Sequence, residues 1–95
     1  MSNEELVALS AVELRRRIGT KEISPVELLE ACLDRIEKVN PAVNAVTAMS
    51  IKRARREAKA AEAAVRRGED LPLLHGLPTG IKDLEETKDL LTTYG

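Results

Sequence analysis

Two four-residue runs constrain this chain most: Ser10-Ala11-Val12-Glu13 and Ser24-Pro25-Val26-Glu27. Each has the form of a helix-starting capping box. The serine side chain accepts a backbone N–H three residues on, and the glutamate can reach back to the serine N–H. After the first box, Leu14 and Ile18 lie one helical turn apart, with Arg15, Arg16 and Arg17 between them. Gly19 is placed to end that short helix, because glycine adopts the left-handed conformation cheaply. In the second box Pro25 falls at the first helical position, where its missing N–H is no loss. Leu29, Cys32, Leu33, Ile36 and Val39 follow at steps of three and four, an apolar stripe. Asn40-Pro41 is expected to stop this helix, since a residue before proline is pushed out of the helical region.

A third helix is expected over about 47–67. Ile51, Ala54, Ala58, Ala61 and Val65 form a seam of mostly small residues, and charged residues fill the intervening positions. High alanine and charge content favours helix locally, and Gly68 is the expected stop. The segment 69–78 carries two prolines, a glycine and a histidine and reads as a loop. A short strand is expected at about 78–83, and 87–95 as turn or loop. The fold class is therefore mainly α: helices at about 10–18, 25–39 and 47–67, then a strand and loop region. A lone strand is marginal in water. The helices thus read as cover for a larger sheet.

Composition narrows the function. The 95 residues allow one domain at most. There is no Phe or Trp and only Tyr94, so Leu, Ile, Val and Ala must supply the core. Charged residues make up 33% at a net charge of −1, with acids and bases mixed. That suits a solvated surface and gives no global basic excess for nucleic acid. The single Cys32 excludes an intramolecular disulfide and supplies no metal cluster, so the reading is no metal and a reducing, cytoplasmic setting. The first residues, MSNEELVAL, are acidic and lack an apolar run, which excludes a secretory signal. No stretch reaches the length of a membrane span.

The run Leu74-His75-Gly76-Leu77-Pro78-Thr79-Gly80-Ile81-Lys82-Asp83, followed by Leu91-Thr92-Thr93-Tyr94-Gly95, resembles the amidase signature family. In that family a G-[LI]-P-x-x-x-K-D run precedes T-T-x-G-S at fixed spacing, and Lys82 to Thr92-Thr93 keeps it. Ser10 to Leu14, Ser24 to Leu28, Arg35-Ile36 and Asn40 to Ala45 are similar to the family's N-terminal helices. One departure is Asp89, preceded by Lys88, where a glycine is usual before the Thr-Thr pair. The resemblance implies an α/β enzyme that hydrolyses carboxylic amide C–N bonds through a Ser–Ser–Lys triad without a cofactor. Lys82 takes the place of the catalytic lysine. It also implies that these 95 residues are an N-terminal piece of the amidase-signature fold, lacking the serine nucleophile and inactive alone.

A serine hydroxyl is a poor nucleophile until a base removes its proton. A lysine serves as that base only when neutral, and burial disfavours its charged form. Lys82 follows the apolar Gly80-Ile81, which suits burial in a complete protein. Asp83 is expected to point elsewhere, as strand alternation places it on the other face.

Other residues read more plainly as structural. His75 is the only histidine and has no Asp or Ser partner nearby in sequence. Cys32 falls on the helical stripe, where cysteines are commonly buried and inert. The basic run Lys52 to Lys59 is interrupted by Glu57 and has no interleaved aromatic for base stacking, so a solvated helix face is favoured over RNA. Thr92 and Thr93 read equally as site lining or turn. The expected partners are a small-molecule amide and, through the alanine seam, a second copy of the chain. Two alternatives stand: the ammonia-releasing subunit of a tRNA-dependent amidotransferase, and a small non-enzymatic helical interaction domain.

Overall fold

Each of the first three helices begins at a serine whose hydroxyl oxygen accepts a backbone N–H three residues on. In the computed structural model, which describes residues 1–82, Ser2 caps α1 (Asn3–Val7), Ser10 caps α2 (Ala11–Gly19) and Ser24 caps α3 (Pro25–Val43). The bonds run from Glu5, Glu13 and Glu27 to these hydroxyls at 3.2, 3.1 and 2.9 Å. Pro25 opens α3, as the second capping box requires. The Glu13 carboxylate does not reach back to Ser10. It accepts instead from Arg16 at 2.6 Å and Arg17 at 2.8 Å. The helix α4 (Ile51–Arg66) starts four residues later than the expected boundary, and its Ser50 makes no side-chain cap.

Besides the late start of α4, three features depart from the sequence reading. The short α1 was not expected, although Ser2-Asn3-Glu4-Glu5 has the same capping form as the other two runs. The end of α2 is turned by Lys21, at φ 66, rather than by Gly19, which is the last helical residue. The third is α3, which continues through Asn40-Pro41 to Val43. Asn40 explains it. Its side-chain amide donates to the Val46 carbonyl at 2.8 Å and accepts from the Val46 N–H at 2.9 Å. Asn44 in the left-handed region closes the last turn onto the Asn40 carbonyl. This clip offsets the hydrogen bond that proline cannot donate. Gly68, at φ 72, ends α4 as its position predicts.

The core is aliphatic. Leu6, Leu14, Ile18, Ile23, Leu28, Ala31 and Val65 form one buried cluster, with Ile18 and Leu28 fully enclosed. Full burial of such a side chain is worth about 1.5–3 kcal/mol. Helix α3 is the central element, touching both α1 and α4. Of the α4 seam, Ala58 and Val65 are buried. The Arg55 guanidinium of α4 grips the Glu30 carboxylate of α3 with two bonds, at 2.7 and 3.2 Å. That ion pair is solvent-exposed and fixes register more than it adds stability.

Beyond the first half of α3 the apolar stripe thins. Ile36 and Val39 are only half-buried, and with Val43 they line an open groove. The described residues contain helices and no strand. Residues 78–82 are therefore not the strand expected at 78–83, and Asp83 lies outside the described residues. The physical reason is the absence, among the described residues, of a neighbouring strand to accept and donate the ladder hydrogen bonds. None of these helices is long and apolar enough to cross a membrane.

Candidate functional site

The segment leading to Lys82 leaves α4 at Gly68 and is fastened back onto the helices at three points. The first is Arg15 of α2. Its Nε donates to the Pro72 carbonyl at 3.0 Å and its Nη2 to the Leu71 carbonyl at 3.3 Å. The second is His75, whose Nε2 lies 2.9 Å from the Ala61 carbonyl of α4. In that pairing the ring nitrogen is the donor, since a carbonyl can only accept. The third is Gly76, at φ 77. A Cβ there would sit 2.8 Å from Pro25 Cγ and 3.3 Å from Ile18 Cδ1, so backbone conformation and packing both call for glycine.

Two tight turns complete the loop, His75 N–H to the Pro72 carbonyl and Leu77 N–H to the Leu74 carbonyl, each at 3.2 Å. Leu71 and Leu77 pack against the core cluster from either end of it. Leu73 and Leu74 stay at the surface. Past Leu77 the chain has no regular secondary structure through residue 82 and is exposed, with Ile81 and Lys82 open to solvent.

The structure thus brings His75 and Gly76 into the helical scaffold and leaves Lys82 beyond it. His75 is structural, as its lone position in the sequence indicated, and the contact to Ala61 that makes it a pin appears only in the fold. Cys32 is half-buried on α3, and burial pushes its thiol pKa up, which makes it a poor nucleophile. Asp83, Thr92 and Thr93 lie outside the described residues. Arg15 escaped the sequence reading because its partners are backbone carbonyls 56 and 57 residues away. Its neighbours Arg16 and Arg17 pair with Glu13, a carboxyl held at about 2, well below its ordinary 4.5, by the hydrogen bonds from Arg16 and then Arg17. No group of three His, Cys, Asp or Glu side chains among the described residues is placed to hold a metal ion.

The family model described as Amidase matches residues 27–95, which include the helical core from α3 onward, the fastened loop and Lys82. The chain belongs to the amidase family. An acylamidase of Rhodococcus erythropolis is 36% identical over 95 residues, all of this chain and 20% of its own length. A glutamyl-tRNA(Gln) amidotransferase subunit from Rhizobium meliloti (strain 1021) is 40% identical over 88 residues, 93% of this chain and 18% of its own. The corresponding protein of Anaeromyxobacter dehalogenans (strain 2CP-C) is 41% identical over 92 residues, 97% of this chain and 19% of its own. The chain spans about a fifth of the length of the curated relatives it matches. No solved structure matches this amidase chain.

Proposed function

We propose that the protein carrying this chain is a cytoplasmic amidase that hydrolyses carboxylic amide C–N bonds, with Lys82 as its base. In this reading Lys82, kept neutral by burial in the complete protein, takes the proton of a nucleophilic serine through a bridging serine. The 95 residues hold the base without the nucleophile and are inactive alone. The observation that carries the reading is the match of the Amidase family model across Lys82 and the loop before it. The loop geometry supports it: the Gly76-Leu77 stretch is locked to the helices, so the exposed segment ending in Lys82 starts from a fixed point.

A second reading is favoured by the relatives at 40–41% identity, which are amidotransferase subunits. In it the protein releases ammonia from glutamine for a charged tRNA. The two separate in one experiment on the full-length protein, assayed with and without partner proteins and tRNA. Ammonia release from simple aliphatic and aryl amides, independent of tRNA, supports the amidase. Activity confined to glutamine in the presence of partner proteins and tRNA supports the second reading. Inactivity towards every amide under both conditions removes both.

A further inference from the structure

We propose that Arg15 is a positioning residue for Lys82, acting through the carbonyls of Leu71 and Pro72; this rests on the reading of Lys82 as the base. Three arginines follow one another on α2, and they are used differently. Arg16 and Arg17 pair with carboxylates on the same helix and its following turn. Arg15 points both its bonds at neutral carbonyls of a loop more than fifty residues on. Two donors held in one plane fit two successive carbonyls, a geometry that the guanidinium supplies and an ammonium does not.

The loop so gripped has little freedom left. His75 pins it to α4 and Gly76 seats it on Pro25 and Ile18. Leu77 is the last residue of the loop packed on the core. Lys82 lies five residues further on, an arm that reaches about 16–18 Å at full extension. Arg15 thereby fixes the origin from which the lysine is delivered. Shifts of about 1 Å in a reacting group can cost about 100-fold in rate, so the grip acts on turnover rather than on substrate affinity.

The test uses the full-length protein and its variants. Arg15→Lys keeps the charge and loses the paired bonds, Lys82→Ala removes the base, and Arg16→Lys is the control. For Arg15→Lys we expect kcat to fall about 10–100-fold with KM unchanged. Amide hydrogen exchange should quicken over 74–82 while α3 and α4 stay protected. The acid limb of the kcat profile should move to higher pH, because a lysine more open to water holds its proton more firmly. A merely structural loss would lower the yield of active protein without moving that limb. Gly76→Ala should reproduce the same signature by a different route, and Arg16→Lys should not. Normal kcat and an unmoved limb in Arg15→Lys, with Lys82→Ala inactive, would overturn the positioning role and leave the base intact. An active Lys82→Ala would overturn the base and the positioning role together.

Discussion

At the residue scale, single side chains decide local structure. Ser24 caps α3 through the Glu27 N–H at 2.9 Å. Ser24→Ala is expected to cost about 1 kcal/mol, measured as a lowered urea midpoint at constant slope. Cys32 is half-buried with its thiol pKa raised by desolvation. It should react slowly with a disulfide reagent at neutral pH and at the rate of a free thiol after unfolding. Equal rates before and after would contradict its placement. The serine caps were legible in the sequence because their partners lie three residues away, within one helical turn. Arg15 and His75 were not legible as pins, since the carbonyls they meet at Leu71, Pro72 and Ala61 become neighbours only once α2, α4 and the loop have packed.

At the element scale, α2 and α3 show how side chains override or reinforce the backbone. The Glu13 carboxyl, depressed to about 2 by Arg16 and Arg17, sits lower in the folded chain than its ordinary 4.5. A depressed carboxyl contributes stability above its unfolded value and loses it as pH falls through the folded one. Glu13 should therefore stop supporting α2 between about pH 4.5 and 2. Glu13→Gln should flatten the fall of helical signal across that window, and added salt should shrink the difference, because the pair is exposed. In α3 the proline rule predicted a stop at Asn40-Pro41. The Asn40 clip to Val46 carries the helix past it. Asn40→Ala removes two half-buried hydrogen bonds, each worth about 1 kcal/mol. Protection of the Val43 and Asn44 amides should then vanish while that of 28–36 persists. Helix existence was readable from capping and periodicity, whereas this boundary depends on a turn that only the folded chain forms.

At the scale of the whole molecule, the helices enclose an aliphatic core at one end and leave it open at the other. Ile18, Leu28 and Val65 are buried, while Ile36 and Val39 are half-covered and Val43 is exposed. With no Phe or Trp to thicken that core, the isolated chain is expected to self-associate or to melt without a sharp transition. Sedimentation of a sharply melting monomer would count against this. The Lys82 segment marks where the sequence reading reached furthest. The spacing from Gly76-Leu77-Pro78 to Lys82 pointed to the amidase family, and the family model spans that stretch. A strand there was expected from an apolar run alone, and residues 78–82 do not form one among the described residues. The most direct test is the turnover of the full-length protein with Lys82→Ala on an amide substrate. The role of Lys82 as the base predicts a loss of about 10²–10⁴-fold, as for removal of a general base, with the fold intact and no rescue by Lys82→Arg, whose guanidinium stays protonated. Near-normal turnover in Lys82→Ala would contradict it.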